Sequence, residues 1–142
     1  MINVEKINPS IMAEVRNFLT SVPSIEKIDE DILKNSCVAF DDKKIVGCIS
    51  FEEFSDKGLI RYFVFKKILS VEFLENLLTK LEENAISKGI KELVCVAECS
   101  QVEELFTSLN FKKINASNIF INEDNILNTN FKSALFLHKV LV

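Results

Sequence analysis

The sequence predicts an α/β (α+β) domain built on one mixed sheet, mostly antiparallel with a single parallel pair, and with helices on both faces. Three observations carry this. Apolar residues alternate along the chain between helical spacing and strand-like runs, and residues 37–65 read as three β-rich runs separated by turn chemistry. A long amphipathic segment over 70–89 then leads into an apolar run at 93–97. A helix joining two neighbouring strands makes a right-handed crossover and sets them parallel, and a sheet that is apolar on both sides needs helices on both.

Taken in order, Ile2, Val4 and Ile7 alternate with polar residues and predict a first strand. Asn8-Pro9 predicts a helix N-cap followed by proline at the first helical position. Ile11, Met12, Val15, Phe18 and Leu19 continue that helix until Pro23 stops it, and Ile28, Ile32 and Leu33 outline a short second helix ending near Asn35. The runs 37–40, 45–54 and 59–65 form an antiparallel meander, with Asp41-Asp42-Lys43-Lys44 and Ser55-Asp56-Lys57-Gly58 as its turns. Ser70 caps the long helix, whose stripe is Val71, Leu74, Leu77, Leu78, Leu81 and Ala85, and Gly89 closes it in the left-handed conformation. The continuous apolar run at 93–97 predicts a strand covered on both faces. Ser100 and Glu103 read as a capping box for a helix carrying Val102, Leu105, Phe106 and Leu109, which Asn110 ends. Residues 111–121 and 133–142 read as two final strands joined by a polar stretch.

With 142 residues, the chain is expected to be one domain over 1–142. A net charge of -4, with Lys and Arg spread through every segment, leaves no basic stripe for nucleic acid. No apolar run approaches the roughly 20 residues that a bilayer span requires, and the amino terminus lacks a signal-peptide pattern. The expected location is the cytoplasm, with no membrane partner. Cys37, Cys48, Cys95 and Cys99 stand without a Cys-x-x-Cys and with one His in the chain, so no metal site is expected. The thiols are expected reduced and mostly buried.

The element order, with Ile45-Val46-Gly47-Cys48-Ile49 in the third strand, Tyr62-Phe63-Val64-Phe65 in the fourth and Gly89-Ile90 closing the long helix, resembles the GNAT superfamily of N-acetyltransferases over about residues 2–141. The resemblance implies transfer of an acetyl group from acetyl-CoA to an amine. It also implies a fourth strand that splays from the fifth, so that main-chain groups at Phe63, Val64 and Phe65 hold the pantetheine arm. The family's pyrophosphate loop, Arg/Gln-x-x-Gly-x-Gly/Ala, falls here on Leu69-Ser70-Val71-Glu72-Phe73-Leu74, so cofactor contacts at Ser70, Val71, Glu72 and Phe73 are expected through the backbone. Leu69, Glu72 and Leu74 depart from that pattern, and Glu72 opposes an anion in the helix's first turn. The family's proton-donating Tyr falls on Phe106, which has no proton to give; the Asn that commonly precedes it falls on Cys99.

The catalytic candidates are Tyr62, the chain's only phenol, and Glu98, which follows the fifth strand at the end where α/β sheets bind ligands. Lys66 and Lys67 can lend charge to the altered loop, and His138, the chain's only imidazole, stands in the last strand. Glu52 and Glu53 point to opposite faces, so one of them at most faces a site; Glu123, Asp124 and Asn125 form an acidic loop able to receive an amine. The leading expectation is an N-acetyltransferase with a small-molecule or peptide amine as acceptor. The alternative is an inactive binding module in which Leu69, Phe73 and Leu74 fill the phosphate channel. A third is a homodimer joined through the last strand, with Leu135, Phe136, Leu137 and His138 at the interface.

Overall fold

The computed structural model describes residues 2–23, 25, 27–66, 70–97, 100–114, 120–121, 124–125 and 135–141. Strand β1 (Ile2–Lys6) is followed by helix α1 (Met12–Thr20), which buries Val15, Phe18 and Leu19. The helix starts later than Asn8-Pro9 predicts. The Asn8 side-chain oxygen instead accepts the Ser10 N–H at 3.0 Å, an Asx turn that spends the capping atom two residues on. Ile11 is left at the cap position with no side-chain bond. Helix α2 (Glu30–Leu33) is capped by Asp29, whose carboxylate accepts the Asp31 N–H at 2.9 Å.

Strands β2 (Cys37–Asp41), β3 (Lys44–Phe54) and β4 (Lys57–Phe65) make the expected meander. Gly47 in β3 matters for packing: a Cβ there would lie 2.2 Å from the Phe65 ring, which occupies the space that glycine leaves open. Helix α3 (Val71–Ser87) follows, its cap Ser70 accepting the Phe73 N–H at 3.4 Å. Gly89 ends it with φ +82°, a conformation that costs other residues about 1–2 kcal/mol. Strand β5 (Glu92–Ala97) and helix α4 (Ser100–Ser108) come next, and Asn110 at φ +72° terminates α4 as predicted. Ser100 opens α4 as a helical residue rather than as its cap, and Glu103 is drawn into a salt bridge with Lys113 at 2.9 Å, so the predicted capping box is not the arrangement found.

Of the predicted strand over 111–121, the described residues include β6 (Lys112–Ile114) and β7 (Phe120–Ile121), which pairs with β8 (Asp124–Asn125) in a two-stranded sheet, and residues 115–119 lie outside the described residues. The last strand, β9 (Leu135–Val140), inserts between β5 and β6, giving the seven-stranded order β1-β2-β3-β4-β5-β9-β6. That placement corrects the interface reading of the last strand. Phe136 and Leu137 are buried within the chain, and β9 has ladder partners on both sides, so its edge is not available to a second subunit.

Every neighbouring pair in the large sheet is antiparallel except β4–β5. On one face α3 and α4 pack against Cys37, Ile49, Phe51, Ile60, Cys95 and Leu137. On the other, α1 and α2 cover Val38, Phe40 and Cys48, while Leu59, Val94 and Phe136 form a smaller cluster further along that side. Among the described residues, no helix is long and apolar enough to cross a membrane, and no group of His, Cys, Asp and Glu could hold a metal ion.

Candidate functional site

The site begins with a register shift. Cys48 of β3 stands opposite Val64 of β4, but Ser50 stands opposite Arg61, so Tyr62 and Phe63 together face the single residue Ile49. This is a β-bulge, which bends the bulged strand and increases its twist. Tyr62 sits at φ +50°, a left-handed conformation costing a bulky side chain about 1–2 kcal/mol. Such strain persists where the surrounding packing overrides it, and it gathers at functional sites.

The parallel ladder between β4 and β5 runs through Lys57↔Glu92, Gly58↔Leu93 and Leu59↔Val94, and then stops. Beyond Leu59 the bulge carries β4 away, leaving main-chain groups of residues 60–65 without β5 partners. A cleft of about 500 Å³ opens there, lined by Tyr62, Phe63 and Val64 from β4 and by Cys95 from β5. Phe106 of α4 closes one side, and Lys27 and Arg61 also line the cavity. The volume is in the range of small-molecule and cofactor sites.

The bulge also decides which side chains share a face. Leu59 lies on the face opposite α3, and strict alternation would return Tyr62 to the α3 side. Tyr62 instead packs with the α1–α2 cluster, beside Val64, while Phe63 and Phe65 pack toward α3 and α4. Arg61 and Tyr62 therefore stand side by side on one face, with the guanidinium carbon 6.0 Å from the Tyr62 ring centroid. The Tyr62 hydroxyl accepts the Asp29 N–H at 2.8 Å, which ties the bulge to the start of α2.

The aromatic floor is a chain of edge-on contacts. The Phe63 ring meets Phe65 at 4.8 Å and Phe106 at 5.2 Å between centroids, and Phe106 meets Phe111 at 5.1 Å. Phe106 is a buried ring, so the position that the resemblance assigns to a proton-donating Tyr contributes only apolar surface. Burial pushes the Cys95 thiol up to about 12, and likewise Cys37 to about 12 and Cys48 to about 11. At neutral pH Cys95 is a protonated, apolar part of the cleft wall rather than a nucleophile.

Several candidates fall away from the cleft. Glu52 bonds Arg61, its Oε1 lying 2.5 Å from Nη1, while Glu53 receives Asn35 Nδ2 at 3.1 Å and lies 3.8 Å from Lys34, so the pair does split between faces. Lys66 does not serve the altered loop. Its ammonium donates to Ser21 Oγ at 2.6 Å and sits 4.8 Å from the centre of the Phe18 ring, at the end of α1. His138 Nδ1 lies 2.6 Å from Glu92 Oε1, whose other oxygen is 3.5 Å from Lys57, at the closed end of the β4–β5 ladder. Glu98, Cys99, Lys67, Leu69 and Glu123 lie outside the described residues, while Asp124 and Asn125 belong to the β7–β8 hairpin.

The seam and the start of α3 differ in how well they suit a CoA-type carrier. The unpaired edge at Phe63, Val64 and Phe65 offers an extended amide chain the hydrogen bonds that a continued β5 ladder would have made. At α3, Ser70 Oγ takes the Phe73 N–H and the Ser70 carbonyl takes that of Leu74, which leaves the Val71 and Glu72 amides for an anion beside the exposed Glu72 carboxylate. The seam fits the arm well, and the helix start is a weaker seat for its phosphates. Phe73 and Leu74 are half-buried and do not line the cleft.

No protein-family model matches the chain, and no curated protein matches its sequence. The fold is nonetheless that of the GNAT acetyltransferases. It superposes on the N-acetylglutamate synthase of Neisseria gonorrhoeae, solved with coenzyme A and N-acetyl-glutamate, with a TM-score of 0.74 and 14% identity over 100% of this chain. The chain spans 35% of that synthase's length. A GNAT-family acetyltransferase from Staphylococcus aureus Mu50 matches end to end, covering 100% of both chains at a TM-score of 0.69 and 16% identity. A Mycobacterium tuberculosis protein solved in complex with CoA matches over 99% of both chains at 0.70 and 13%.

The family resemblance implied the seam, and the sequence reading missed Lys27, Arg61, Asp29 and the bulge. No local signal marks the bulge, because Tyr is not a residue that favours positive φ. Lys27 reads in sequence as one more charge in a loop.

Proposed function

We propose that the chain is an acetyl-CoA-dependent N-acetyltransferase of the cytoplasm, acting on an amine of a small molecule or peptide. The observation that carries this reading is the parallel ladder that ends after three residue pairs and leaves a cavity against an unpaired strand edge. Acetyl-CoA supplies the activated thioester. Main-chain groups of Phe63, Val64 and Phe65 hold the pantetheine arm, and the Val71 and Glu72 amides, between Ser70 and Phe73, take the pyrophosphate, more weakly than a glycine loop would.

In the transfer the acceptor's N–C bond forms as the C–S bond breaks, the nitrogen releases a proton and the departing sulfur gains one. Tyr62 suits the second role, because its oxygen accepts from Asp29 while its own O–H stays available to donate. Glu98 remains the carboxylate candidate near the strand end. A second reading, a GNAT-fold binding module without the cofactor, draws support from Phe106 and from Glu72 in the first turn of α3. Calorimetric titration with acetyl-CoA decides between them. Saturable heat supports the transferase, and silence at millimolar cofactor overturns it.

A further inference from the structure

Given that transferase reading, on which this inference rests, we propose that the acceptor amine carries a carboxylate, received by Lys27 and the Arg61 guanidinium. Both residues line the same cleft. The chain as a whole has a net charge of -4, so two cations at one cavity are not a by-product of a basic surface. Lys27 has no hydrogen bond or ion pair among the described residues. Arg61 meets Glu52 through Nη1 alone, and a guanidinium carries five N–H donors in a planar fork that matches a carboxylate. The Glu52 carboxylate bonds Arg61, and that of Asp29 accepts the Asp31 amide.

Position separates this pair from the cofactor's phosphates. Arg61 lies four residues before Phe65, the end of β4, and therefore about 13 Å along the strand from the turn into α3. The pyrophosphate seat is at that far end. Tyr62 is the next residue after Arg61 and, because of the bulge, shares its face. An acceptor whose carboxylate rests on Arg61 and Lys27 thus has its amine end at the phenol, which is the arrangement an amino acid or an acidic amine presents.

The test measures CoA-thiol release with paired acceptors that differ only in charge, the common amino acids and β-alanine against their carboxamides, together with spermidine. The wild-type protein should prefer each reactive carboxylate over its amide by at least about tenfold in kcat/KM, as loss of a charge-assisted pair implies. Lys27→Gln should shrink that ratio several-fold through KM, and Arg61→Lys should shrink it while keeping the charge. Acetyl-CoA affinity, measured by calorimetry, should stay the same in both variants. Equal or better turnover of amides or spermidine overturns the inference, as does an unchanged ratio in Lys27→Gln. A tenfold loss of acetyl-CoA affinity in Lys27→Gln also overturns it, by assigning the cations to the cofactor. Cofactor binding without turnover of any carboxylate acceptor overturns the inference and leaves the transferase reading standing, whereas absence of cofactor binding removes both.

Discussion

Replacing Tyr62 with Phe separates the structural work of that residue from its proposed chemistry. The ring stays, and with it the packing against the α1–α2 cluster and the positive φ of the bulge. The loss is one hydroxyl, which accepts the Asp29 N–H at an exposed position where water can replace it. A net hydrogen bond of this kind is worth about 0.5–1.5 kcal/mol, and less when water substitutes. For a chain of this size 1 kcal/mol shifts Tm by about 3 °C, so the variant should melt within a few degrees of wild type. If the phenol protonates the departing sulfur, its removal should instead cost about 10²–10⁴ in kcat. The two magnitudes do not overlap, because a 1 kcal/mol disturbance of the cleft slows a step by only about fivefold. Paired measurements of Tm and of acetyl-CoA turnover, with affinity checked by calorimetry, read both. A variant that turns over within fivefold of wild type at an unchanged Tm would refute the proton-donor role.

Two further outcomes follow from buried groups. Asn84 on α3 is buried, and neither of its side-chain polar atoms has a partner among the described residues. Leu has the same branching and atom count, so Asn84→Leu removes two unpaired polar atoms and should stabilise the protein by about 1–3 kcal/mol. Urea denaturation with an unchanged m-value checks this; a loss of more than 1 kcal/mol would mean that an internal water serves the amide. Cys37, Cys48 and Cys95 have folded pKa values raised to about 12, 11 and 12 by burial, so the folded state keeps protons that the unfolded chain releases near pH 9. Stability contributed by these thiols is complete below pH 9 and is lost as pH rises toward those folded values, on the order of 1 kcal/mol for each thiol by pH 10. Denaturation curves at pH 8 and pH 10, compared with a Cys37→Ala, Cys95→Ala variant, should show a smaller alkaline loss in the variant.

Much of the site's frame was legible in the chain, and its polar content was not. Ser70, Gly89 and Asn110 mark helix ends through local chemistry, and each acts where its residue type predicts. The parallel β4–β5 pair followed from element order, because a crossover helix forces one parallel pair into an otherwise antiparallel sheet, whereas the seam between them was implied only by the family resemblance. Asn8 misled because an Asx turn and a helix cap use the same atom, and context two residues on chooses between them. Lys66 misled because its proximity in sequence to the altered loop says nothing of Ser21 and Phe18, which hold it in space.

The sequence by itself determined the order of helices and strands through α4, which stripes are apolar and which pair of strands runs parallel. These depend on side-chain period and on propensities spanning a few residues. Only the tertiary structure decided that β9 lies between β5 and β6, that the β4–β5 ladder stops after Leu59, and that Arg61 and Tyr62 share a face. Those outcomes are set by competition among strand edges and packed faces far apart in the chain, where each register pays for its strain through contacts that no local window contains.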